Sequence, residues 1–119
     1  ESRRSFIHIE DVCRATLEIA LRGTCGETYH ISTQNIVSIR ELVMSIADAL
    51  GVPFEKCIVD TPDRIGKDEA YILSSQKLRS ELGWSDQISL TAGLKRTMDW
   101  VADNKDYLVT LPDEYVHKA

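Results

Sequence analysis

The sequence predicts an α/β fold, a few short strands with three or four helices, as a single domain over residues 1–119. Two observations carry this. Short runs rich in β-branched and aromatic residues alternate with segments whose apolar residues recur at helical spacing. The helical segments also carry their own start and stop residues. A composition of 43% hydrophobic and 28% charged residues supports one small core and no second one.

The first run, Ser5-Phe6-Ile7-His8-Ile9, alternates in the manner of a strand. Glu10 and Asp11 then open a segment with Val12, Ala15, Ile19 and Ala20 on one face, which predicts a helix over residues 11–22. Its acids favour the positive end of the helix dipole, Arg22 favours the negative end, and Gly23 stops it. After a turn at Gly26, Thr28, Tyr29 and Ile31 predict a second strand over residues 27–32. Ser38 and Glu41 have the spacing of a capping box, in which each side chain satisfies the other's backbone amide. Ile39, Leu42, Val43, Ile46, Ala47 and Leu50 continue that helix until Gly51 and Pro53 end it.

Residues 57–59 read as a third β-like run, which would complete a second β-α-β unit. A polar, charged loop over residues 63–70 follows, then a brief extended stretch at Tyr71-Ile72-Leu73. Ser74 or Ser75 caps a short helix that ends near Leu82-Gly83-Trp84. Ser89 caps a last helix with Leu90, Leu94, Thr97, Met98 and Val101 on one stripe, and periodicity fades beyond Asn104. Trp84 and Trp100 are expected to anchor the core, and Cys13, Cys25 and Cys57 to pack as small hydrophobes.

A formal charge of −5 argues against a nucleic-acid partner, which needs a concentrated basic face. No apolar run approaches the ~20 residues of a membrane helix, so no membrane partner is expected. Three cysteines without a CxxC pair suggest reduced thiols and a cytoplasmic location rather than disulfides or zinc. Asp63, Asp68 and Glu69, interleaved with Arg64 and Lys67, read as solvated ion pairs and not as a metal site. His8 and His30, both in strand-like runs, are expected to pack or hydrogen-bond, with no catalytic role.

Four segments, taken in order, resemble the second half of the extended short-chain dehydrogenase/reductase enzymes. They are Arg4-Ser5-Phe6-Ile7-His8-Ile9-Glu10-Asp11, Gly26-Glu27-Thr28-Tyr29-His30-Ile31, Ser38-Ile39-Arg40-Glu41-Leu42 and Lys77-Leu78-Arg79-Ser80-Glu81-Leu82-Gly83-Trp84. The resemblance spans residues 3–105 and points within that family to the NAD-dependent sugar-nucleotide epimerases and dehydratases. The discriminating piece is Asp63-Arg64-Ile65-Gly66-Lys67-Asp68 ahead of Tyr71, which is similar to the Asp-Arg-Pro-Gly-His-Asp stretch of the dTDP-glucose 4,6-dehydratase subgroup. Ile65, Lys67 and Ser5 depart from the proline, histidine and aspartate of that pattern, and Glu69-Ala70 stands where basic residues are common.

The resemblance implies the C-terminal, substrate-binding portion of an extended Rossmann-type enzyme, with a nucleotide sugar as its ligand. It places Arg64 and Arg4 on the nucleotide diphosphate, with Lys67 and Tyr71 as auxiliaries. Guanidinium forks suit phosphate oxygens, and Lys67 serves as a point charge. Tyr71 could equally line the core.

The glycine-rich dinucleotide fingerprint and the Tyr-x-x-x-Lys pair are absent, and Gly23 to Gly26 lies between a helix and a strand, the reverse of the fingerprint's order. NAD is therefore expected in a full-length parent with an N-terminal dinucleotide-binding domain. Neither a bound cofactor nor a catalytic residue is expected in this piece. By resemblance, the parent oxidises the sugar at C4, eliminates water across C5 and C6 and returns the hydride. A nucleotide-sugar 4-epimerase and a stand-alone protein-interaction module remain alternatives. Homo-oligomerisation is expected, because the face that meets the cofactor domain would be apolar.

Overall fold

A computed structural model describes residues 2–59 and 69–112, so Arg64 and Lys67 lie outside the described residues. The elements run β1 (Arg3–Ser5), α1 (Ile9–Arg22), β2 (Ile36–Ser38), α2 (Ile39–Leu50), a 3-10 turn (Phe54–Lys56), β3 (Ala70–Tyr71), α3 (Gln76–Leu82), α4 (Leu90–Asp103) and α5 (Lys105–Leu108). The α/β class and the three long helices agree with expectation. A single-turn α5 follows them in the stretch where sequence periodicity fades.

The sheet is small and mixed, in the order β2-β1-β3. β1 pairs antiparallel with β2, with Arg4 opposite Val37, and parallel with β3, with Arg4 opposite Tyr71. Three strand assignments need correction. The first strand covers Arg3–Ser5 and not residues 5–9, because the chain leaves the sheet to present His8 as the cap of α1. The His8 imidazole Nδ1 accepts the Glu10 N–H at 3.2 Å and starts the helix at Ile9, two residues earlier than the acids suggest. Gly93 on α4 leaves room for that ring, since a Cβ there would stand 3.2 Å from His8 Cδ2.

Residues 27–32 form no ladder, for their backbone meets no strand among the described residues. Residues 57–59 are not a strand either. Pro53, at φ −57°, leads into the 3-10 turn instead, and the Cys57 N–H closes that turn on the Phe54 carbonyl at 2.9 Å.

The local helix signals agree at α2 and α4, whereas Ser75, the residue that opens α3, makes no side-chain cap bond and its hydroxyl donates to the Ser32 carbonyl instead. Ser38 Oγ accepts the Glu41 N–H at 3.1 Å, and the Glu41 carboxylate accepts the Ser38 N–H at 2.6 Å. Gly51 ends α2 in the left-handed conformation at φ 66°, which lets the Val52 N–H return to the Ala47 carbonyl. Ser89 Oγ accepts the Ala92 N–H at 3.2 Å and opens α4.

Ala15, Leu78, Leu82 and Trp84 form the buried core, with Ile7, Ile19, Tyr29 and Ile31 packed against it. It joins α1 to α3. Trp84 is buried as expected, but Trp100 is half-exposed on α4, and all three cysteines are exposed rather than packed.

Candidate functional site

β1 carries Arg4 at the middle of the sheet, and β3 delivers Tyr71 beside it in register. Register neighbours in a sheet present their side chains on one face. The fold therefore brings together two of the four predicted site residues, which are 67 positions apart in the sequence. Arg4 is half-buried, and its Nη1 donates to the Arg3 carbonyl at 2.8 Å. Tyr71 is 61% exposed, which decides against a core-lining role and leaves its hydroxyl accessible. The other two, Arg64 and Lys67, precede β3 in the chain. β3 is tied to β1 at its start, where the Arg3 N–H donates to the Glu69 carbonyl at 2.9 Å. Arg3 itself is exposed and donates from Nη2 to the Ile36 carbonyl at 3.1 Å. A guanidinium beside a phenol on one row of a sheet can bind a phosphate or a hydroxyl-bearing ligand.

A shallow cleft of about 240 Å³ lies at the end of this row, between Ile36 and Ile72, with Thr33, Ser74 and Gln76 on its walls. The larger groove, about 510 Å³, lies elsewhere, between α2 and α4. Ala49, Leu50, Leu94 and Met98 line it, and its two charges, Lys95 and Asp99, pair with each other at 2.8 Å. It has no cation left over for a phosphate, and the smaller cleft, which is lined by no charged residue, meets the Arg4–Tyr71 row only through Ile36 and Ile72, neighbours in the strands.

Behind that cleft is a polar network that the sequence did not reveal. Arg79 on α3 donates from Nη2 to Asp86 at 2.5 Å and to the Ser32 carbonyl at 3.2 Å, and from Nε to Ser75 Oγ at 2.9 Å. Its guanidinium lies 5.0 Å from the centre of the Trp84 ring. Thr33 donates to the second Asp86 oxygen at 2.7 Å, and Ser75 donates to the Ser32 carbonyl at 2.8 Å. Burial pushes the Asp86 carboxyl upward, but the hydrogen bonds from Arg79 and Thr33 outweigh it and hold the group below the usual carboxylate range. The network fixes Thr33 and Ser75, two walls of the cleft.

Asp11 is the other residue missed. It is fully buried, and its two oxygens accept the N–H groups of Gln87 and Ile88, each at 3.0 Å. Arg14 adds a charge-assisted hydrogen bond. Burial again pushes the carboxyl up, and these donors reverse the effect and lower it. Asp11 thereby pins the start of α1, and with it β1, to the segment that leads into α4. Its position in a first helical turn suggested only a dipole role.

No protein-family model matches the chain. It is 36% identical over 115 residues to a dTDP-glucose 4,6-dehydratase of Streptomyces niveus, covering 95% of this chain and 34% of that protein. A solved dTDP-glucose 4,6-dehydratase from Streptomyces venezuelae, with NAD and TYD bound, superposes with a TM-score of 0.83 at 33% identity. That match covers 89% of this chain and 33% of the other. A UDP-glucose 4-epimerase from Thermotoga maritima, solved with UDP-glucose, superposes with a TM-score of 0.79 at 28% identity, over 88% of this chain and 33% of the other. The chain thus spans about a third of the length of the relatives it matches.

Proposed function

We infer, from a chain whose sequence and fold are those of the C-terminal part of the NAD-dependent sugar-nucleotide dehydratases and epimerases of the extended short-chain dehydrogenase/reductase family, that it binds the nucleotide-sugar substrate of a dTDP-glucose 4,6-dehydratase-like enzyme. The observation that carries this reading is the adjacency of Arg4 and Tyr71 across β1 and β3, within a likeness to dehydratases that covers 95% of the chain.

In this reading Arg4 and Arg64 hold the diphosphate with paired N–H donors, and Lys67 adds a point charge. Tyr71 offers its hydroxyl to the same ligand. The Arg79–Asp86 network keeps the cleft walls in place. Among the described residues no glycine-rich turn leads from a strand into a helix: Gly23 caps the end of α1, and Gly26, at φ 82°, lies in the turn that follows. The NAD held by the solved dehydratase neighbours supports reading NAD and hydride transfer as the work of a dinucleotide-binding domain N-terminal to this one, with this domain contributing binding and orientation. The three exposed thiols fit a reducing compartment, the cytoplasm, and the whole enzyme is read as a homo-oligomer.

Calorimetry with thymidine diphosphate on the full-length polypeptide carrying this segment tests the reading. Each of Arg4→Ala and Arg64→Ala is expected to weaken binding about tenfold or more, since a hydrogen bond to a charged group contributes about 1.5–3 kcal/mol. A double variant that binds as well as the parent would sink it. The solved epimerase neighbour supports a second reading, a nucleotide-sugar 4-epimerase. Product analysis separates the two: a dehydratase loses water from the sugar, and an epimerase returns an isomer of unchanged mass.

A further inference from the structure

β3 is joined to β1 by a ladder of two residues, Ala70 and Tyr71, which is short for a strand that presents a site residue. Its start is tied down where the Arg3 N–H donates to the Glu69 carbonyl at 2.9 Å. Past Tyr71 the ladder stops, and the tie that follows is at Ser75, whose hydroxyl donates to the Ser32 carbonyl at 2.8 Å. A serine ahead of a helix ordinarily caps it. Ser75 makes no such bond to α3, and its hydroxyl reaches across 43 positions of sequence instead.

The guanidinium of Arg79 closes on the same point. Its Nη2 donates to the Ser32 carbonyl at 3.2 Å and to Asp86 at 2.5 Å, and its Nε donates to Ser75 Oγ at 2.9 Å. Asp86 also accepts the Thr33 hydroxyl at 2.7 Å, and Thr33 Oγ1 accepts the Asn35 N–H at 3.2 Å. Ser32, Thr33 and Ser75 are buried, so little water competes for these bonds. Ser32 and Thr33 lie just before β2 and Ser75 just after β3, and those two strands are the neighbours of β1. One side chain therefore grips the approach to one outer strand and the exit of the other, with Arg4 on the strand between them.

We propose that Arg79 is a positioning residue for ligand binding, which acts through Ser32, Thr33 and Ser75 to set β2 and β3 about β1 and so holds Tyr71 beside Arg4. Its side chain is only 16% exposed and its charge is matched by Asp86, so it is not itself placed to hold a diphosphate. Lysine would not replace it: an ammonium can keep the pair with Asp86, but it lacks the fork that spans the Ser32 carbonyl and the Ser75 hydroxyl. The proposal rests on the reading that Arg4 and Tyr71 bind the ligand, and it adds what fixes their adjacency.

The test uses the full-length polypeptide carrying this segment and reads amide exchange and thymidine diphosphate binding together. Arg79→Lys should speed exchange over β2 and β3 about tenfold or more, while α4, outside the network, keeps the parent's rates. Ser75→Ala, which leaves the Arg79–Asp86 pair intact, should act in the same direction and serves if Arg79→Lys fails to fold. Thymidine diphosphate should bind the Arg79→Lys variant about tenfold more weakly. In a Tyr71→Phe background the same change should cost much less, because the hydroxyl that Arg79 positions is gone. Exchange over β2 and β3 that neither variant moves overturns the proposal. So does acceleration in α4 to the same degree, which would mark a general loss of stability, and so do binding losses that simply add. A parent that fails to bind thymidine diphosphate while Arg79→Lys still loosens β2 and β3 removes the substrate reading and leaves Arg79 as the residue that holds Arg4 and Tyr71 together. Binding by the parent with exchange unmoved by either variant does the reverse.

Discussion

At the scale of single residues, two carboxylates hold together parts of the chain that are distant in sequence, and both depend on being ionised. Asp11 accepts two backbone N–H groups from Gln87 and Ile88, and Asp86 accepts from Arg79 and Thr33. In each case burial opposes the charge and the donors outweigh it, so the folded-state pKa lies below the unfolded value. The sign follows: the unfolded chain takes up protons first, so these groups stabilise the fold above the unfolded carboxylate pKa of about 3.9 and lose that contribution as pH falls through the lower folded values. The thermal midpoint is expected to fall as pH drops below about 4. Asp11→Asn with Asp86→Asn should lower stability at neutral pH and flatten that acid limb; an acid limb as steep as the parent's would show that other groups govern it. Neither contact could be read from sequence, because Asp11 meets Gln87 across 76 positions and Thr33 meets Asp86 across 53. Residue type alone suggested a helix-dipole role for one and nothing for the other.

At the scale of elements, legibility followed the range of the interaction. The caps of α2 and α4 were legible because Ser38 to Glu41 and Ser89 to Ala92 lie within one turn, and the bonds observed are those the spacing implies. Ser38→Ala removes the hydroxyl that accepts the Glu41 N–H and is expected to cost about 1 kcal/mol, read as a lower urea midpoint at unchanged slope. A midpoint that does not move would mean that β2, which ends at Ser38, and not the cap, fixes the start of α2. Strands were less legible, since β-propensity describes a residue and pairing requires a partner. Residues 27–32 have the propensity without a partner strand among the described residues, whereas Ile36–Ser38, adjoining a helix cap, pairs with β1 and was not anticipated. The site was half legible for the same reason. Arg4 and Tyr71 came from motif resemblance, but their adjacency comes from the parallel β1–β3 register, and the supporting Arg79 network from packing around Trp84.

At the scale of the whole molecule, the buried apolar cluster among the described residues is small, Ala15, Leu78, Leu82 and Trp84 joining α1 to α3, while Leu17, Leu21, Leu50 and other large apolar side chains remain exposed. A chain of this length buries a modest fraction of its surface, so its stability falls in the lower part of the 5–15 kcal/mol found for domains. One core residue then outweighs several surface ones. Leu78 is fully buried between α1 and Trp84, and Leu78→Ala both removes apolar contact and leaves a cavity, at a cost of about 2–5 kcal/mol. Leu50, 59% exposed at the end of α2, should cost well under 1 kcal/mol on the same change, about the range of ordinary surface substitutions. The expected outcome is that the Leu78→Ala chain loses most or all of its cooperative thermal transition by circular dichroism while Leu50→Ala melts with the parent. If the two variants melted together, the stability would have to reside along the α2–α4 groove, and the core assigned to α1 and α3 would not be what holds Arg4 and Tyr71 in register.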